Sequence, residues 1–184
     1  SVIGLNHKSA NIDIRGKFSF TADSASLLLR RIKKVRDIHE VIVVSTCNRT
    51  EIYCESTNGA DDIKNWLLAE KEYKSFAKHL YIHQEEDAIE HLFKVVAGLD
   101  SMVIGESEVL GQVKTAYKTA LENKSIDGKL KRLFEYSFSV AKNVRTNTDI
   151  GGNAISFMYT SILLIKKIFS TVEEKKCLLI GAGE

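Results

Sequence analysis

Two β-type runs, Val41 to Ser45 and Glu51 to Glu55, are separated by only five residues, Thr46-Cys47-Asn48-Arg49-Thr50. A joint that short leaves no room for a crossover, so the runs must pair as an antiparallel hairpin. Val2 to Leu5 reads as an earlier strand, Phe18-Ser19-Phe20 as a short extended piece, and Leu80 to His83 as a last strand. Asp23 is placed to cap a helix to about Arg36, with Leu27, Leu28, Arg31, Ile32 and Val35 at helical spacing. Asp61 or Asp62 begins another, carrying Ile63, Trp66 and Leu67. From Asp87 the pattern is helical almost throughout: Asp87 to Ala97, Ser107 to Asn123, then Asp127 to Asn147 with Leu130, Leu133, Phe134, Ser137, Ala141 and Val144 on one stripe. Strands early and helices late predict an α+β domain built on an antiparallel sheet, not a doubly wound one.

Gly151-Gly152 halts the last of these helices and Asn153 can cap the next, which places a domain boundary near residue 150. Residues 1–150 form the first unit; 151–184 hold a linker helix and the apolar run Lys175 to Glu184, which reads as a buried parallel-type strand entering a glycine turn. At 184 residues, 44% of them hydrophobic, the chain can bury one good core and the start of a second. Its most apolar stretch, Ile155 to Phe169, is too short to span a membrane and contains Lys166 and Lys167. Ser1-Val2-Ile3-Gly4-Leu5 reads as a strand and not as a signal peptide. A net charge of +2 says nothing about nucleic acid by itself, so any such surface has to be local. Cys47, Cys54 and Cys177 are odd in number and unrelated in spacing. That argues against a disulfide framework and a zinc site, and makes a reducing, cytoplasmic setting the expectation.

The chemistry-bearing residues concentrate at the hairpin's joint. A thiol on such a loop is accessible, and a nearby guanidinium favours its thiolate. If the loop stays extended, Cys47 and Arg49 point to one side, and Arg49 can hold a substrate carboxylate in bidentate fashion while Cys47 attacks. The competing structural reading makes Cys47 a small apolar residue closing a strand and Arg49 a solvated charge. His91 falls nearly opposite the Ile89, Leu92, Phe93, Val96 face of its helix, as a solvated histidine or one lining a cleft and exchanging protons. His7, after the first strand, shapes a site or supports one; His39, His79 and His83 show no metal-ligand pattern. The segment Gly98 to Glu108 is polar and glycine-bearing without being a phosphate loop, and Ser107 can cap the helix that follows. Gly181-Ala182-Gly183 after an apolar run is the opening of a dinucleotide fingerprint.

Six segments in order, Gly4-Leu5-Asn6-His7-Lys8-Ser9-Ala10, Ser45-Thr46-Cys47-Asn48-Arg49-Thr50-Glu51, Gly98-Leu99-Asp100-Ser101-Met102-Val103-Ile104-Gly105-Glu106, Gly111-Gln112-Val113-Lys114, Ser137-Phe138-Ser139-Val140-Ala141-Lys142 and Gly181-Ala182-Gly183-Glu184, resemble the glutamyl-tRNA reductase family. The resemblance implies reduction of glutamyl-tRNA(Glu) by NADPH to glutamate-1-semialdehyde through a thioester on Cys47, the first step of the five-carbon route to tetrapyrroles. It implies a histidine important for activity at His91, and substrate-pocket positions at Thr46, Asn48, Arg49, Ser101, Glu106, Ser107, Glu108 and Gln112. It further implies NADPH contacts at Gly181, Ala182, Gly183 and Glu184, the opening of a Rossmann domain that this chain would leave truncated. A homodimer formed through a further C-terminal domain and product transfer to glutamate-1-semialdehyde aminomutase are the implied partners. The chain departs from the family's pattern at Asn11, where proline is usual, and at Arg15-Gly16, where Arg-Glu is. On this reading the chain alone acylates itself or hydrolyses the ester. The alternative is a non-catalytic module that binds tRNA or protein, with Lys129, Lys131, Arg132, Lys142 and Arg145 as its basic run.

Overall fold

The hairpin forms, longer and tighter than the sequence pattern draws it: β2 is Ile38–Ser45, β3 is Arg49–Ser56, and only Thr46 to Asn48 join them. The structure, a computed structural model, describes residues 1–71, 73–150, 157–169, 171, 175, 176 and 178. β1 (Val2–Asn6) pairs with the other side of β3, and β4 (Tyr81–His83) with the outer side of β1. The sheet order is therefore β2-β3-β1-β4, antiparallel at every joint.

Register decides which side chains meet. Val44, Glu51, Gly4 and Tyr81 face one another in a row across the four strands, and Ile42, Tyr53, Val2 and His83 form the next. Residues opposite each other lie on one face of a sheet, so Arg49, Glu51 and Tyr53, two apart along β3, share that face. α4 (Glu85–Val96) and α6 (Lys129–Asn147) pack over it: Phe134 meets Tyr53 edge to face at 5.2 Å, and His91 reaches Glu51. α2 (Ala22–Ile32), α3 (Ala60–Ala69) and α5 (Glu108–Glu122) add Leu28, Leu29, Ile32, Ile63, Leu67, Val109 and Val113 to the same continuous core.

A buried carboxylate ties the edge strand to the longest helix. Glu40 accepts the backbone N–H groups of Asp127, Gly128 and Leu130 at 2.9, 2.7 and 2.9 Å. Burial alone would raise its carboxyl, but these amides at the start of α6 outweigh it and hold the group below its ordinary range.

Two local expectations change. Thr21, not Asp23, caps α2, its Oγ1 accepting from the Ser24 N–H at 3.3 Å. Phe18-Ser19-Phe20 is not a strand, because it follows a short helix, α1 (Ile12–Lys17), that the pattern did not announce. α1 buries none of its residues and leaves Ile12 72% exposed, so it carries no amphipathic signal; it is set by Asn11, whose Oδ1 accepts from the Ile14 N–H at 3.0 Å. Phe18 then enters an aromatic cluster, 5.6 Å from Phe20, 5.7 Å from Tyr73 and 4.9 Å from Phe76, the last on a 3-10 turn at Lys74–His79 that was also unforeseen.

Beyond residue 150 the described residues include α7 (Phe157–Ile168). Gly151-Gly152, the cap at Asn153, the dinucleotide-type turn Gly181 to Glu184 and most of the run from Lys175 lie outside the described residues. No helix among the described residues is long and apolar enough to cross a membrane.

Candidate active site at the hairpin apex

The three-residue apex closes on its own backbone. Thr46 Oγ1 accepts the N–H groups of Asn48 and Arg49 at 3.2 and 3.1 Å, and the Thr46 N–H donates to the Arg49 carbonyl at 2.8 Å. A hydroxyl used this way fixes a turn, so the apex is bent and not extended. His7 N–H donates to the Asn48 carbonyl at 3.0 Å, and Arg15 spans from the Ala10 carbonyl at 2.8 Å to that of Cys47 at 3.4 Å. The Cys47 thiol is exposed at the tip of this braced turn, whereas Cys54 is buried in β3.

Opposite the tip runs the segment from Gly98 to Ser107. Gly98 and Gly105 both have left-handed backbone, with φ of +78 and +85°. The Gly105 N–H bonds the Gly98 carbonyl at 3.0 Å, and Arg145 of α6 donates to the carbonyls of Gly105 and Glu106 at 3.1 and 3.3 Å. This places Ser101, Glu106, Glu108 and Gln112 around one small cleft with Thr46, Cys47, Asn48 and Arg49. The cleft has a volume of about 20 Å³, room for roughly one water molecule. Ser101 Oγ and His7 Nδ1 are buried side-chain atoms with no hydrogen-bond partner among the described residues. An orphaned buried hydroxyl costs on the order of 1–3 kcal/mol, which a ligand able to bond it would recover. Ser107 stands at the head of α5 without making the side-chain capping bond expected of it.

Arg49 is not a solvated charge. Its side chain is 2% exposed and its guanidinium is divided between two carboxylates. Nη1 donates to Glu51 Oε1 at 2.7 Å; Nη2 donates to Asp100 Oδ2 at 3.1 Å and also to the Asp100 carbonyl. Lys8 pairs with the other Asp100 oxygen. Glu51, fully buried, further accepts from Tyr53 Oη at 2.7 Å, from Tyr81 Oη and from His91 Nε2 at 2.8 Å. Burial would raise the Glu51 carboxyl, but the His91 hydrogen bond and the Arg49 charge overcome it and hold the group down at about 2. His91, whose side chain is 10% exposed, stacks on His83 at 4.7 Å and meets Tyr81 edge-on. It touches Glu51 and is not among the residues lining the cleft at Cys47; the two sides join through Glu51 and Arg49.

The thiol's surroundings differ from the sequence expectation. Burial pushes the Cys47 thiol up, and the carboxylates of Glu108 and Glu106 push it the same way; a backbone N–H and the Arg15 charge oppose them. Removing one of these charges frees the thiolate. Glu108→Gln should therefore speed alkylation of Cys47 near neutral pH by about two- to fivefold, the range for a partly screened charge. A rate equal to or below that of the unaltered chain would show that the carboxylate does not act on the sulfur.

Sequence reasoning missed Glu51, Asp100, Tyr81, Lys8 and Arg15. Glu51 and Asp100 lay inside quoted segments, and the two-residue spacing of Arg49 and Glu51 was a strand signal that they share a face. Lys8 too lay inside such a segment; Tyr81 and Arg15 meet the site only through the fold.

Comparison with known proteins shows the family and the fold. Residues 3–148 match the family described as "Glutamyl-tRNAGlu reductase, N-terminal domain". The glutamyl-tRNA reductase of Aliivibrio fischeri is 44% identical over the whole chain, which covers 45% of that relative; that of Xylella fastidiosa is 44% identical, with 42% covered. The chain thus spans less than half the length of these curated relatives. The solved structure of glutamyl-tRNA reductase from Methanopyrus kandleri superimposes with a TM-score of 0.67 at 26% identity, over all of this chain and 43% of that one. On the match across residues 3–148 and the relatives' identity, the chain belongs to the glutamyl-tRNA reductase family and contains its N-terminal domain.

Proposed function

We propose that this chain supplies the thiol chemistry and glutamyl recognition of an NADPH-dependent reduction of glutamyl-tRNA(Glu) to glutamate-1-semialdehyde. The observation that carries the reading is an exposed thiol on a braced turn, in one cleft with a guanidinium, an unpartnered hydroxyl and two carboxylates. A glutamyl ester presents complementary groups: a side-chain carboxylate for Arg49, an α-ammonium for Glu106 and Glu108, and a carbonyl carbon for Cys47. The substrate carboxylate takes over the Arg49 Nη2 position from Asp100, which keeps its bond to Lys8; the Asp100 side of the cleft moves outward to admit it, because the closed cleft has room for roughly one water molecule. The ammonium neutralises the charges that hold the thiol's proton, so binding of the correct ester itself favours the thiolate. Sulfur attack then forms a thioester, releases the RNA's terminal hydroxyl and transfers the thiol proton to it. NADPH, when bound, supplies hydride for reduction of that thioester; the residues assigned to it, Gly181 to Glu184, lie outside the described part of the structure. His91 is placed to steady Glu51, and through it Arg49, by its Nε2–H bond.

In this reading residues 1–150 form the catalytic, tRNA-binding unit, and 151–184 begin the NADPH-binding domain. A homodimer that passes its aldehyde to an aminomutase completes the proposal. The non-catalytic alternative loses support where its basic run is engaged internally, Lys129 with Glu55 at 2.7 Å and Arg145 with the loop backbone. The test is protection of Cys47 from iodoacetamide. Glutamate α-methyl ester should slow alkylation where glutamine methyl ester does not, and Arg49→Lys should abolish the difference. Equal protection by both esters would remove Arg49 from substrate recognition.

A further inference from the structure

We propose that the larger cavity between α2 and α5 seats the terminal nucleoside of the RNA, the group that the Cys47 sulfur displaces. This rests on the thioester reading above and extends it to the leaving group. The cavity measures about 450 Å³ and is bordered by Phe20, Ser45, Glu108, Gly111, Gln112 and Thr115, among others. It shares Glu108 and Gln112 with the thiol's cleft, and Ser45 lies two residues before Cys47. A group held there lies beside the Glu108 and Gln112 rim shared with the thiol's cleft, so one ester can lie over that rim with its acyl carbon at the sulfur and its alcohol half in the cavity. The thiol's cleft has no space for it, whereas about 450 Å³ falls within the roughly 300–1,000 Å³ usual for small-molecule sites.

The lining selects among occupants. It offers an aromatic ring, Phe20, several hydroxyls, a carboxylate and an amide, with no lysine or arginine among the described residues. A flat heterocycle stacks on such a ring and a ribose bonds such hydroxyls, whereas phosphates need cations. The surface suits a neutral nucleoside.

Gly111 gives an independent sign. It lies inside the first turns of α5, and a Cβ there would meet nothing within 4 Å. Glycine in a helix costs about 1 kcal/mol relative to alanine. Neither its backbone angle nor its packing requires glycine at 111, and its one visible consequence is a bare helix wall facing the cavity.

The reaction balances without an added reagent: the C–S bond forms, the acyl C–O bond breaks, and the thiol proton ends on the departing ribose oxygen. The test compares acylation of Cys47 by 3′-glutamyl-adenosine and by glutamate α-methyl ester, read by intact mass. The unaltered chain should half-saturate with the adenosine ester at a concentration at least about tenfold lower, equivalent to the binding of one good ligand fragment. Gly111→Leu should shrink that preference to about twofold or less, by filling the cavity. Gly111→Ala, which fits a helix better, should raise the melting temperature while reducing the preference, an opposition that a purely structural role would not give. Equal half-saturation by the two esters in the unaltered chain, or full preference in a folded Gly111→Leu, overturns the proposal. If neither ester acylates Cys47, the thioester reading fails first and takes this one with it.

Discussion

Glu51→Ala should cost about 3–5 kcal/mol, the range for removing one partner of a buried ion pair. The carboxylate accepts from Arg49, Tyr53, Tyr81 and His91, and all four would lose a partner inside the core at once. Arg49 keeps Asp100, which limits the loss; Tyr53 and Tyr81 have no such reserve in this network. The same group sets an acid limit. Its folded value, about 2, lies below its ordinary 4.5, so the stability it contributes is complete above pH 4.5 and is lost as pH falls toward 2. Denaturant unfolding across that window should show the loss in the unaltered chain and a flatter acid limb in Glu51→Gln. An unchanged acid limb in Glu51→Gln would mean that another carboxylate governs acid unfolding.

The second large effect is predicted at Gly4, which the sheet places directly opposite Glu51 on one side and Tyr81 on the other. A Cβ on Gly4 would lie 2.5 Å from the Thr50 carbonyl oxygen, 2.8 Å from Glu51 Cγ and 2.9 Å from Glu51 Cα. Two of those atoms are backbone and cannot swing aside. The bare strand is what lets the Glu51 side chain lie across the sheet toward Arg49 and Tyr81. Gly4→Ala should therefore cost at least the top of the ~1–3 kcal/mol range for overpacking, and disturb Arg49 as well. Thermal unfolding checks the first consequence; weakened protection of Cys47 by glutamate methyl ester in the folded fraction checks the second. A variant as stable as the original would show that the strands separate there without penalty.

Much of the frame could be read before the coordinates. The short joint between two β runs required an antiparallel hairpin, and periodicity located α4, α5 and α6 to within two residues at each end. What escaped was decided by contacts distant in sequence. α1 has no buried face to announce it. The sequence could place Arg49 beside Cys47, but not say that Asp100, 51 residues on, would hold half its guanidinium. His91 stands opposite its helix's apolar stripe, which reads as solvent; the fold sets Glu51, Tyr81 and His83 on that side instead. The cleft residues from Ser101 to Gln112 were assigned by family resemblance, and their shared position depends on left-handed Gly98 and Gly105 and on Arg145 gripping the loop.

That the Cys47 sulfur accepts the glutamyl group is tested most directly by mixing the chain with glutamyl-tRNA(Glu), quenching in acid and mapping any added mass. A single glutamyl adduct on the peptide holding Cys47, released by hydroxylamine and missing in Cys47→Ser, is the predicted result. Ester cleavage by Cys47→Ser at the original rate, or an adduct on another residue, would contradict it.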